Sequence, residues 1–161
     1  MTKIHRIAPK AVHLTKAGRD EIVAELTELK EEKLPKAIER VARARDFGDL
    51  AENAEYHSAR EDLAFIEGRV EELEVIIARA KLITAKKGPN GQVKLGSTVT
   101  IHSNGIKQTF SVVGEWEADP NNKKISHQSP LGQALVGKKV GEEVEIEAPA
   151  GKILYKILSI S

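Results

Sequence analysis

Apolar residues recur at steps of three and four through the first half of this chain and at steps of two through the second, so a helical region precedes a sheet region. Leu14-Thr15-Lys16-Ala17-Gly18 opens the first helix, with Thr15 in N-cap position. Ile22, Leu26 and Leu29 then mark a coiled-coil seam. Continued in phase, that seam would place Lys33, Lys36 and Arg40 in the core, but the apolar set resumes one residue late at Leu34, Ile38 and Val41. The slip coincides with Pro35, which has no amide to donate and costs about 3 kcal/mol in a helix interior. A kink or local unwinding is expected near Leu34, with the helix continuing to about Arg45.

The second helix carries a longer seam: Tyr56, Ala59, Leu63, Ile66, Val70, Leu73, Ile77 and Ala80, with charged residues between. So narrow a stripe needs a partner, and the first helix, one short turn away, is the nearest. About thirty residues at ~1.5 Å each make an antiparallel arm of roughly 45 Å. Thr84 to Gly91, with Lys86-Lys87-Gly88-Pro89-Asn90-Gly91, breaks the pattern and reads as a linker. Beyond it Val99 and Ile101 alternate with polar residues, Asn104-Gly105 signals a two-residue hairpin, and Phe110 to Val113 begins the return strand. Ser129-Pro130 starts a short helix that Gly137 ends, and Val144 to Ile157 form two closing strands around Ala148-Pro149-Ala150-Gly151. The expected class is α+β: a helical hairpin over 1–83, a linker at 84–91, and a small antiparallel-sheet domain over 92–161.

Charge narrows the chemistry. The formal net charge is +1 over 161 residues, so any contact with nucleic acid must come from a local patch. Without cysteine there is no disulfide, thiolate metal site or Cys nucleophile. His5, His13, His57, His102 and His127 show no metal-ligand spacing. The N-terminus lacks the apolar run of a signal peptide, and no later run is long enough to cross a membrane, so the expected location is the cytoplasm.

The turn between the helices, Asp46-Phe47-Gly48-Asp49-Leu50-Ala51-Glu52-Asn53-Ala54-Glu55-Tyr56, carries four carboxylates. Asp49 and Glu52 fit two readings. One is a capping box, with Asp49 accepting an amide at the start of the second helix and Glu52 reaching back. The other is a pair of oxygen ligands for a hard divalent cation, since Mg²⁺ is usually held by one or two carboxylates with phosphate and water. Spacing alone fits both.

Gly48 to Tyr56, together with Leu14-Thr15-x-x-Gly18 and Ile125-Ser126-x-x-Ser129-Pro130-Leu131-Gly132-x-Ala134-Leu135-x-Gly137, closely resembles the bacterial GreA/GreB transcript cleavage factors. The likeness spans Leu14 to Ile160 and is greater to GreA, because the arm is not unusually basic. It implies a coiled-coil hairpin followed by an FKBP-like domain that docks at the rim of the secondary channel of bacterial DNA-directed RNA polymerase. The arm then enters the channel of a backtracked complex, where the nascent RNA 3′ end is extruded. By the same resemblance Asp49 and Glu52 help retain a Mg²⁺ ion jointly with the polymerase, and Arg45, Arg60 and Tyr56 are candidates for contact with the RNA. Tyr56, at the first seam position, also suits packing; Phe47 suits support of the turn; and Asp46 and Glu55 suit solvated or capping roles. The expected protein is a monomer that is not itself an enzyme. The alternative is a channel-binding regulator that stimulates no cleavage. A prolyl isomerase would need an aromatic-lined pocket, for which the second half offers only Phe110, Trp116 and Tyr155. Two departures from the family pattern are Leu34, where an arginine often precedes the proline, and several extra residues before Leu14, expected to form a frayed tail.

Overall fold

The computed structural model describes residues 10–83 and 88–161. Within it the chain forms two compact units, one of Arg19–Arg79 and one joining the segment that ends at Gly18 to Ala80–Ser161. These limits differ from the expected 1–83, 84–91 and 92–161, because short strands flanking the hairpin pair with each other.

The helical unit contains most of α1 (Lys16–Glu28), a π-helical turn at Leu29–Lys33, α2 (Leu34–Arg45) and α3 (Ala54–Arg79). The π turn is the unwinding expected near Leu34. Its closing bond runs from the Leu34 amide to the Leu29 carbonyl, five residues back. A π turn takes up one extra residue, which is the size of the phase slip, and it lies just ahead of Pro35, whose ring crowds the preceding turn. Leu29 is therefore followed on the buried face by Ala37, Val41 and Ala44. Ile38, expected in this seam, is instead 51% exposed and Ala37 takes its place. The small side chains of Ala44 and Ala59 let α2 and α3 close tightly around Tyr56. In α3 the expected seam holds through Leu73; Ile76 is also buried, and Ala80 has left the helix for a strand.

Ion pairs fasten the outer faces. Arg69 on α3 forks onto Glu25 of α1 (2.8 and 3.0 Å) and also reaches Glu72 (2.7 Å). Its guanidinium is thereby held further above its ordinary pKa, first by Glu25 and then by Glu72. Lys30 of the π turn pairs with Glu74.

In the second unit, β1 (Val12–Thr15) runs parallel to β2 (Ala80–Ile83), Leu14 facing Leu82. Leu14, expected at a helix start, is thus a fully buried strand residue, worth about 1.5–3 kcal/mol for a side chain of that size. Of the expected frayed tail, residues 1–9 lie outside the described residues, whereas Val12 and His13 are in β1. Thr15 does cap α1, its Oγ accepting from the Gly18 amide (3.0 Å). Glu117, in a 3₁₀ turn at Glu115–Glu117, accepts from both the Thr15 amide (2.7 Å) and the Thr15 hydroxyl. That is half of a capping box supplied from a distant loop. A Cβ at position 18 would lie 2.0 Å from Glu117 Oε1, so any larger residue there must push the Glu117 side chain off Thr15.

The main sheet has the order β5-β4-β3-β7-β6, built from β3 (Thr98–Ser103), β4 (Ile106–Val113), β5 (Lys124–Ser126), β6 (Glu143–Ala148) and β7 (Gly151–Ile160). Asn104 and Gly105 both take positive φ, as the expected two-residue hairpin requires. All pairings are antiparallel except β4 with β5, an edge pair absent from the sequence reading. Ser129 caps α4 (Pro130–Leu135) by accepting from Gly132 N (3.1 Å), and Leu135 seals a core of Val93, Val99, Ile101, Val112, Val144 and Ile157. The expected linker is only partly described: Thr84–Lys87 fall outside, and Gly88–Gly91 form a turn closed by Gly88 N to Gln92 O (2.9 Å).

Candidate functional site

The site is built where α2 ends and α3 begins. The last amides of α2 tighten to three-residue spacing, with Phe47 N bonding Ala44 O and Gly48 N bonding Arg45 O. Gly48 then turns the chain with φ +88°, a conformation that other residues adopt at a cost of about 1–2 kcal/mol.

Asn53 joins the two helix ends. Its Oδ1 accepts from the Tyr56 amide (3.0 Å), which makes it the N-cap of α3, and its Nδ2 donates to the carbonyl of Ala44 (2.7 Å). One side chain thus satisfies an orphan donor of α3 and gives a carbonyl in the last turn of α2 a second, shorter bond. The capping reading of Asp49 is corrected accordingly. Asp49 Oδ1 accepts from the Ala51 amide (3.3 Å), and the Glu52 amide bonds the Asp49 carbonyl (3.3 Å). Asp49 and Glu52 are therefore the first and last residues of one tight turn, both exposed, and neither carboxylate belongs to any of the described ion pairs.

A cationic pair lies beside this turn. The guanidinium carbons of Arg45 and Arg60 lie 5.9 and 5.8 Å from the Tyr56 ring centroid. Tyr56 itself is buried, 7% exposed, against Val41, Ala44 and Ala59. Its ring packs as the seam required and offers no open face for a base. Hydrogen bonding from Arg45, helped by the charge of Arg60, holds the phenol below its ordinary pKa.

Glu55 is solvated, as expected, but not free: Arg40 forks onto it (2.7 and 3.2 Å) while also reaching Asp62 and Ser58 across the hairpin. The Arg40 bond holds the Glu55 carboxyl below its usual value. Phe47 does not support the turn from beneath: it is 82% exposed.

The donor set limits what the tip can do with a metal. Among the described residues no three histidine or acidic side chains come together as a metal cluster. Two exposed carboxylates on one turn fit a hard cation whose remaining ligands come from elsewhere. In the second unit, the cavity at one end of the sheet encloses about 160 Å³ and is lined by a single aromatic residue, Tyr155, together with Ile101, Ile106 and Ile153. Trp116 is half exposed.

Fold and tip together define a class: a helical hairpin that presents acids and arginines at its bend, joined in sequence to a small α+β domain. The family described as "Transcription elongation factor, GreA/GreB, C-term" matches residues 88–161, and "Transcription elongation factor, N-terminal" matches residues 12–82. Transcription elongation factor GreA of Paracoccus denitrificans is 43% identical over 92% of this chain and 96% of its own length. That of Bacillus subtilis is 46% identical over 94% and 98%. The crystal structure of GreA factor homolog 1 from Thermus thermophilus aligns at 29% identity with a TM-score of 0.44, covering 94% of this chain and 99% of that one. The chain belongs to the GreA/GreB family of transcription elongation factors.

Proposed function

We propose that this elongation factor binds bacterial RNA polymerase, extends its hairpin through the secondary channel, and stimulates cleavage of the nascent RNA 3′ end in backtracked complexes. The observation that carries this reading is the Asp49–Glu52 turn, exposed, held in place by Asn53, and bordered by Arg45 and Arg60 on the Tyr56 ring. Asp49 and Glu52 supply oxygens to a Mg²⁺ ion shared with the polymerase. When bound, that ion lowers the pKa of its water and stabilises charge on the phosphate. The two carboxylates hold and orient, and the arginines attract the RNA backbone.

Two acids without further ligands make a weak metal site, so the free chain hydrolyses nothing and catalysis belongs to the polymerase. The protein acts as a cytoplasmic monomer; among the described residues no helix is long and apolar enough to cross a membrane. The test is a stalled elongation complex supplied with Asp49→Ala or Glu52→Ala protein. Polymerase binding survives and cleavage collapses if the reading holds. Undiminished cleavage by both variants overturns it in favour of a channel regulator that performs no chemistry.

A further inference from the structure

The tip carries a large apolar group that neither the hairpin nor the metal-binding acids use. Phe47 is 82% exposed just past the end of α2, although burying such a side chain would stabilise the fold. It borders a surface groove of about 490 Å³ that is also lined by Arg40, Arg43, Ala44, Asp46 and Glu55. Within that groove Glu55 is already neutralised by the two-pronged bond from Arg40. Among the described residues Arg43 is held only by a long 3.7 Å pair with Glu39, one helical turn back, and remains available to an anion. An open aromatic face beside a planar cation is what binds an unpaired nucleotide, the ring stacking on the base and the guanidinium meeting the phosphate.

We propose that Phe47 and Arg43 form a subsite for one unpaired nucleotide of the extruded RNA, with the base stacked on the Phe47 ring. The subsite rests on the reading of Asp49 and Glu52 given above and adds a position to it. Phe47 and Asp49 are two residues apart, at most about 7 Å of chain. The stacked base therefore belongs to a nucleotide close to the phosphate at the acids. Tyr56 does not compete for this role, because its ring is buried against Val41, Ala44 and Ala59 with both arginines close to it.

The test uses a backtracked elongation complex whose extruded 3′-terminal nucleotide is 2-aminopurine, and Asp49→Asn/Glu52→Gln protein so that the RNA stays intact. Quenching of the probe is expected with Phe47 or Phe47→Trp and is lost with Phe47→Leu, while affinity for polymerase without RNA is the same for all three. In the otherwise unsubstituted protein, Phe47→Leu lowers the cleavage rate by about 5- to 150-fold, the range of base–aromatic stacking. Equal quenching by Phe47 and Phe47→Leu overturns the subsite. So does a loss of affinity for RNA-free polymerase, which would place the ring against protein. If quenching depends on Phe47 but the unsubstituted protein releases no RNA, the nucleotide subsite stands and the role of the acids falls; cleavage without Phe47-dependent quenching gives the reverse.

Discussion

Replacing Asn53 by alanine should open the tip while leaving the rest of the hairpin closed. The substitution removes the N-cap of α3, worth about 0.5–2 kcal/mol. It also removes the shorter of two hydrogen bonds to the carbonyl of Ala44, which keeps the 3.4 Å bond from the Phe47 amide, a further cost of about 0.5–1.5 kcal/mol. A combined loss of ~1–3.5 kcal/mol speeds exchange of the Tyr56 amide by roughly 5-fold or more, since each 1.4 kcal/mol is tenfold. Hydrogen exchange followed residue by residue reads this directly, and the Leu73 amide, about 25 Å further along α3 at ~1.5 Å per residue, should be unaffected. Asn53→Asp separates the two terms, since it keeps the cap oxygen and loses the donor to Ala44. Transcript cleavage should fall with Asn53→Ala while polymerase affinity holds. Unchanged protection of Tyr56 in Asn53→Ala would refute the claim that this side chain joins the helix ends.

Acidification tests the Arg40–Glu55 pair. Glu55 is held below its ordinary value of 4.5, so its contribution to stability is fully present above that pH and is lost as pH falls through the depressed value. The difference in unfolding free energy between wild type and Arg40→Gln should be constant from neutrality to about pH 4.5, shrink below it, and be smaller in high salt because the pair is exposed. Tyr56→Phe should retain affinity for a complex with extruded RNA, whereas Tyr56→Leu should weaken it without changing affinity for RNA-free polymerase. The leucine gives up two cation–π contacts worth about 0.5–1 kcal/mol each. Gly18→Ala should lower the denaturant midpoint by displacing Glu117 from Thr15, where each charged hydrogen bond contributes about 1.5–3 kcal/mol; Glu117→Gln should reproduce much of that loss.

Features set by local chemistry were legible from sequence. Asn104-Gly105 needs two positive φ angles, Ser129-Pro130 starts a helix, and a one-residue slip at Pro35 has few structural solutions besides a π turn. Features set by distant partners were not. The strands Val12–Thr15 and Ala80–Ile83 pair across the whole hairpin, and neither four-residue segment signals its partner; at Ala80 the helical period even continues into the strand. The exchange of Ile38 for Ala37 reflects close approach of the helices, which favours small residues over the more hydrophobic choice. At the tip, Asp49-x-x-Glu52 has capping-box spacing, which masks the cap at Asn53. Its signal was present, an asparagine directly before the helix-forming Ala54, but its bond to Ala44 depends on α2 ending opposite it. Exposure of Phe47 had no sequence signature at all.

In the function proposed above, Asp49 and Glu52 help polymerase retain Mg²⁺ at a backtracked RNA end. The most direct measurement is a magnesium titration of RNA cleavage in a defined backtracked complex, with and without the protein. Wild-type protein should move half-maximal cleavage to a lower Mg²⁺ concentration and release short 3′ fragments, while Asp49→Asn/Glu52→Gln protein, bound equally well, should leave the curve where polymerase alone puts it. An equal shift by that double variant would contradict the account.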